Sequence, residues 1–148
     1  MSTETAIHRR VASLREGRDP TFLARLPSGW AVLGEQQFLR GYCLLLPDPV
    51  VPHLNALAGP ARAGVLADAT ALGDAVLAAT GALRINYAIF GNVEPALHVH
   101  VVPRFADEPD AMRTVHPWGY DWNAAPRFDP LRDGQLVAAL RRELERRP

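Results

Sequence analysis

The stretch Ala96-Leu97-His98-Val99-His100-Val101-Val102-Pro103-Arg104 constrains this chain more than any other. Strict alternation over these residues predicts a strand with Leu97, Val99 and Val101 on one face and both imidazoles on the other. The apolar face can then cover a core while the histidines line a shared surface. Paired imidazoles can make structural hydrogen bonds, hold a metal ion, relay a proton or attack phosphorus.

The rest of the pattern predicts one domain over residues 1–148, with no repeats and no linker. Ile7, Val11 and Leu14 fall at helical spacing, and Gly17 is placed to end that helix. Thr21–Leu26, Trp30–Leu33 and Gly41–Leu46 read as strands, the first two joined by a turn at Pro27-Ser28-Gly29. Leu44-Leu45-Leu46 lacks alternation, as expected of a strand covered on both faces. A long helix is expected from Pro60 to Gly81, with Val65, Leu66, Ala69, Leu72, Val76 and Leu77 as its apolar stripe. Leu83–Phe90 and Leu97–Val102 complete the sheet across a short loop at Gly91–Pro95. A last amphipathic helix runs from about Asp133 to Arg147, with Leu136, Leu140 and Leu144 inward and arginines toward its end, where they suit the helix dipole. The expected fold is therefore α+β: an antiparallel sheet of about five strands, a long helix before the last hairpin, and a C-terminal helix.

Composition narrows the chemistry. The chain has 16 basic and 16 acidic residues, so its formal charge is zero, and nothing in it suggests a nucleic-acid or membrane surface. Every basic residue is Arg, which excludes Schiff-base chemistry and a P-loop lysine. Cys43 stands alone in an apolar run and is expected as a small buried hydrophobe. Residues 1–20 are too polar for a secretory signal, and no apolar run approaches membrane-spanning length, so a cytoplasmic location is expected.

For His98 and His100 three readings stay open on the residues alone. They can be structural. They can be two ligands of a metal, but the third ligand would have to come from Asp107, Glu108 or His116, in a turn-like segment. Or one can be a nucleophile at phosphorus, because a neutral imidazole keeps one nitrogen free while the other donates to a fixed acceptor. The backbone carbonyl of Ala96, two residues before His98, can be that acceptor. His100 can then bond a phosphate oxygen or the leaving group, and Asn86 and Asn92 can orient phosphate oxygens.

Asn92-Val93-Glu94-Pro95-Ala96-Leu97-His98-Val99-His100-Val101-Val102-Pro103-Arg104 resembles the signature of the histidine-triad nucleotide hydrolases and transferases. Gly41-Tyr42-Cys43-Leu44-Leu45-Leu46-Pro47 is similar to that family's Gly-His-x-Leu strand, and Leu54-Asn55-Ala56-Leu57 to its lead into the long helix. The resemblance spans about residues 20–105, leaving 106–148 as a C-terminal extension and helix. It implies metal-independent, cofactor-free attack on the α-phosphate of a nucleoside phosphate derivative through a nucleotidyl-histidine intermediate. His98 is then the nucleophile and His100 its catalytic partner. Asn86, Asn92, Ala96 and Arg104 are the implied substrate-binding residues, and a homodimer with a continuous sheet is implied as well.

The chain departs from the family pattern at Ala96, Tyr42, Asp48 and Val50. Ala96 replaces the first histidine of the triad but keeps the carbonyl. Tyr42 and Asp48 remove positive charge that suits polyphosphates, which favours a slower reaction, a narrower one, or a less charged substrate. The alternative is a nucleotide-binding module without turnover. His53 and His116 read as surface histidines. Glu35 lies where an acidic group can meet a ribose. The aromatic group Trp118, Tyr120 and Trp122 is a candidate cover for a pocket or a dimer contact.

Overall fold

Helix formation begins at a reciprocal cap in a computed structural model that describes residues 4–147. The Thr5 side chain accepts from the His8 amide at 3.4 Å, and His8 Nδ1 accepts from the Thr5 amide at 3.1 Å. Two orphan donors of the first turn are thereby satisfied, with histidine in the place usually taken by Glu or Gln. The helix, α1 (Ala6–Arg15), buries Ile7, Val11 and Leu14, and Gly17 follows it at φ 70°, as its spacing predicts. Met1, Ser2, Thr3 and Pro148, part of the expected domain, lie outside the described residues.

Strands β1 (Phe22–Leu26) and β2 (Gly29–Leu33) pair so that Leu26 faces Gly29, which leaves Pro27 and Ser28 as a two-residue turn. Only glycine fits at 29, because a Cβ there would sit 2.2 Å from the Leu46 carbonyl oxygen of the next strand. That strand, β3 (Cys43–Pro47), is buried along its whole length. Helix α2 (Gly59–Thr80) carries a proline in its first turn and ends on Gly81 in the left-handed conformation. Then come β4 (Arg84–Ala88), β5 (Val99–Arg104) and, after an irregular segment, α3 (Pro130–Glu145). Asp129 caps α3 by accepting from the amides of Leu131 and Arg132, so the helix starts three residues before the expected Asp133.

Among the described residues the sheet has five strands in the order β1-β2-β3-β5-β4, all antiparallel, so the expected α+β architecture is the one observed. The run without alternation at Leu44–Leu46 is explained by its position. Cys43 and Leu45 face α2 and α3, whereas Leu44 and Leu46 face α1. Each layer is closed by apolar contact: Leu136, Leu140 and Leu144 of α3 pack on one face, and Ile7, Val11 and Leu14 of α1 on the other.

Two expectations about α2 are corrected. Leu66 is 44% exposed and Leu77 half-buried, while Ala71, Gly73 and Ala75 face inward. The helix is rich in alanine on every side, so its periodicity does not select a face; close approach to the sheet does. A Cβ on Gly73 would lie 2.0 Å from the Tyr87 hydroxyl oxygen of β4. The helix is also long and apolar enough to cross a membrane, at a mean hydropathy of 1.3, contrary to the expectation that no run approaches that length. Here its apolar face lies on the sheet. Buried Asp68 in its middle accepts from the Ser28 amide at 2.8 Å and hydroxyl at 2.5 Å, tying α2 to the first hairpin.

Candidate active site

His98 stands just before β5, where the Leu97 amide donates to the Val51 carbonyl at 2.7 Å and anchors the chain. Its Nδ1 lies 2.7 Å from the Ala96 carbonyl oxygen. A carbonyl can only accept, so Nδ1 carries a proton, and in the neutral ring Nε2 is the nitrogen that keeps its lone pair. This is the contact that the spacing of Ala96 and His98 predicts. Alanine suffices there because the backbone supplies the oxygen.

His100 lies two residues on, in register with Leu44 of β3 and Ala88 of β4. The two imidazole centroids are 4.9 Å apart. Its Nδ1 is 2.7 Å from the Tyr42 hydroxyl. Burial, and secondarily the neighbouring His98, push the pKa of His100 down to about 4. Burial raises that of the Tyr42 phenol. Both rings are thus neutral near pH 7. Tyr42 is held by its own backbone, since its carbonyl accepts from the Gly34 amide at 2.8 Å and from Gln37 Nε2 at 2.9 Å.

The segment after β5 covers this pair. Trp118 meets the His100 ring edge-on at 4.8 Å and stacks on Trp122 at 5.0 Å, and Trp122 in turn lies 3.8 Å from Phe38. The cover is pinned by hydrogen bonds from Gln36 Nε2 to the Trp122 carbonyl and from the Gln37 amide to the Pro126 carbonyl. What remains open is a cleft of about 490 Å³ lined by Phe90, Asn92, Glu94, His98, His100 and Trp118, among others. That volume suits a small-molecule ligand. The Asn92 side chain stands at its rim, exposed and without a protein partner among the described residues.

Two of the expected substrate-binding residues are placed elsewhere. Arg104 is buried at the end of β5, its guanidinium bonded to both oxygens of Glu108, to the Met112 carbonyl at 2.9 Å and to Asn86 Oδ1 at 2.9 Å. Glu108 also accepts from the Phe105 amide and the Tyr120 hydroxyl, both at 2.7 Å. Burial alone pushes the Glu108 carboxyl up, but the bonds from Arg104, Tyr120 and Phe105 outweigh it and hold it below the usual range. In this structure Arg104 and Asn86 form a joint fixing the aromatic segment to the sheet, and neither lines the cleft.

The remaining candidates lie outside the cleft. His53 and His116 are exposed, as their loop positions predict. The exposed Glu35 carboxylate sits 3.5 Å from Arg127 Nη2. Asp48 is paired with Arg15, which, together with a bond from Trp30 Nε1 at 2.9 Å, keeps its carboxyl below the usual range despite partial burial. Val50 packs in the core beside α1. Cys43 is fully buried, and burial raises the pKa of its thiol. Among the described residues no group of three His, Cys, Asp or Glu is placed to hold a metal ion. Tyr42 was not assigned to the site from sequence, whereas Trp118 was expected only as part of a cover for a pocket or a dimer contact. The signal for Tyr42 was its place in the strand where the resembling family carries histidine.

No protein-family model and no curated protein matches the chain. Solved structures do. A histidine triad protein from Bradyrhizobium japonicum shares 24% identity at a TM-score of 0.71, covering 88% of this chain and 94% of that one. One from Marinobacter aquaeolei shares 21% at 0.74, covering 95% and 96%. A hypothetical histidine triad nucleotide-binding protein from Sulfolobus tokodaii shares 16% at 0.71, covering 91% and 90%. With the strand order, the long helix and the His-x-His strand all in place, this chain has the histidine triad fold.

Proposed function

We propose that the protein is a nucleotide phosphohydrolase or nucleotidyl transferase of the histidine-triad kind, attacking the α-phosphate of a nucleoside phosphate derivative. The carrying observation is the 2.7 Å contact between His98 Nδ1 and the Ala96 carbonyl, which in the neutral ring makes Nε2 the nitrogen with the lone pair, at a cleft of ligand size. In this reading Nε2 attacks phosphorus and forms a nucleotidyl-histidine, which water or another acceptor resolves. His100 supports the phosphate and the leaving group, Asn92 orients a phosphate oxygen, and Ala96 acts through its carbonyl. No metal and no cofactor enter. The histidine-triad proteins of like fold support the reading.

Incubation with a dinucleoside polyphosphate labelled at the α-phosphate tests it. An acid-labile protein adduct is expected in the wild type and absent in His98→Ala. Label that binds the wild type without ever becoming covalent would select the second reading, a nucleotide-binding module without turnover. That reading is favoured by the lack of any Arg among the residues lining the cleft. The proposal includes a homodimer formed across the free edge of β4, where Leu83, Tyr87 and Phe90 are exposed at 65%, 45% and 57%. A monomeric mass in sedimentation at micromolar concentration would remove that part.

A further inference from the structure

The bond between Tyr42 and His100, 58 residues apart in the chain, decides where the second imidazole keeps its proton. Tyr42 is 4% exposed, and His100 Nδ1 is the only hydrogen-bond partner of its hydroxyl among the described residues. A phenol carries one donor. If the imidazole donated to the phenol oxygen, the O–H would be buried with no acceptor, a state native proteins avoid. The hydroxyl therefore donates and Nδ1 accepts, so the neutral ring of His100 carries its proton on Nε2. His98 is the reverse, with its proton on Nδ1. The two rings thus stand in opposite tautomers, one presenting a lone pair and the other an N–H.

The surroundings keep His100 in that state. The side chains in ring contact with it are Tyr42, Phe90, His98, Trp118 and Trp122, none of which is an anion, and Glu94, the one carboxylate lining the same cleft, makes no hydrogen bond or ion pair with it among the described residues. Burial disfavours the charged ring as well. Nor can the phenol proton follow to Nδ1 if Nε2 releases its own, because burial makes the phenolate costly. A neutral imidazole so held can donate a hydrogen bond, but it is a poor acid.

We propose that Tyr42 is a positioning residue that locks His100 as a neutral Nε2–H donor, opposite in tautomer to His98, and so restricts the reaction to leaving groups that depart as stable anions. This rests on the nucleotidyl-histidine reading above. In the first step the His98 Nε2 lone pair forms an N–P bond while the P–O bond to the leaving group breaks. The bonding pair goes to the leaving oxygen, which accepts a hydrogen bond from His100 Nε2–H and leaves as an anion without taking a proton. In the second step water attacks phosphorus, the P–N bond breaks, its pair returns to Nε2, and one proton is released to solvent. Phosphates, carboxylates and acidic phenolates suit this scheme. An amine does not, because its nitrogen must be protonated to leave.

The test has two arms on the full-length protein. Long-range ¹H–¹⁵N correlations in the wild type are expected to show His98 protonated on Nδ1 and His100 on Nε2. In Tyr42→Phe the two tautomers of His100 mix. In the second arm, nucleoside 5′-monophosphate aryl esters of graded phenol acidity and one aryl phosphoramidate are turned over. The rate falls steeply as the phenol becomes more basic, and the arylamine is not released. Tyr42→Phe lowers kcat about tenfold with KM unchanged, the size of one lost hydrogen bond in the transition state. Tyr42→His, which restores a donor and adds a group able to take up a proton, recovers turnover and begins to release the amine. A wild-type His100 protonated on Nδ1 overturns the role of Tyr42, whether or not the protein is active. Amine release by the wild type as fast as that of an acidic phenolate overturns the restriction. If no ester is turned over and no adduct forms, the nucleotidyl-histidine reading fails and the restriction with it, while the tautomer result still decides Tyr42.

Discussion

Replacing Glu108 with alanine is expected to be strongly destabilising. The Glu108 side chain is 4% exposed, and that of its partner Arg104 is 9% exposed. Alanine removes the acceptor for Arg104 Nε and Nη2, for the Phe105 amide and for the Tyr120 hydroxyl together. The guanidinium keeps only Asn86 Oδ1 and the Met112 carbonyl, so a buried cation is left without a counter-charge. Breaking a buried pair in this way costs about 3–5 kcal/mol. Against a total stability of about 5–15 kcal/mol for a domain, that is about a fifth of the whole or more. The midpoint of thermal unfolding then drops by on the order of 10 °C. Urea unfolding followed by circular dichroism measures the loss directly. The folded Glu108 carboxyl lies below the ordinary glutamate value, so its contribution is present above that value and is lost as pH falls through the folded one. The gap between wild type and Glu108→Ala must therefore narrow in acid. A loss below about 1 kcal/mol, within the range of a surface pair, would refute the assignment of this network as a buried joint.

Three further expectations follow from other contacts. His100 has its folded pKa at about 4, below the ordinary imidazole value. Stability should thus decline as pH falls from roughly 6.5 to 4, because the unfolded chain takes up a proton the folded one refuses, and His100→Gln should remove that slope in urea midpoints. Gly34→Ala places a Cβ 2.2 and 2.3 Å from Tyr42 Cδ2 and Cε2, so the ring must shift and pull its hydroxyl from His100. A stability loss of about 1–3 kcal/mol, with the His100 ring nitrogens changed in ¹⁵N spectra, is expected, and an unchanged spectrum would contradict the packing. Asp68→Ala strands the Ser28 amide and hydroxyl and should cost about 1–3 kcal/mol in denaturant, with the signal of Trp30 in β2 reporting the loosened hairpin.

Much of this was legible in the chain because it is local. Alternation at Leu97–Val101, the helical spacing of Ile7, Val11 and Leu14, and the unbroken apolar run at Leu44–Leu46 each state which side of an element meets a core. A glycine just past a helix and the turn residues Pro27-Ser28-Gly29 mark where elements stop. The same locality covers the most important contact of the site, since the acceptor for His98 lies two residues before it on one backbone. Where the pattern was mute, the reading erred. Helix α2 is alanine-rich on every side, so Leu66 was assigned inward, whereas Ala71 and Ala75 are the residues that let the helix approach the sheet.

The polar partners were of a different kind. Arg104 and Asn86 were expected at a phosphate because each carries a suitable group near the motif, and nothing in their spacing shows that Glu108 and Tyr120 are already there. Likewise the folding of Trp118 and Trp122 over His100 joins a loop to strands far away in sequence. The element order, the sheet and the shared face of His98 and His100 were thus written in the sequence, because backbone periodicity links neighbours. Which groups satisfy those side chains, above all the Tyr42 hydroxyl on His100, was decided only by tertiary structure. A buried hydrogen bond depends on distances of a few tenths of an ångström between strands, and no one-dimensional pattern records them.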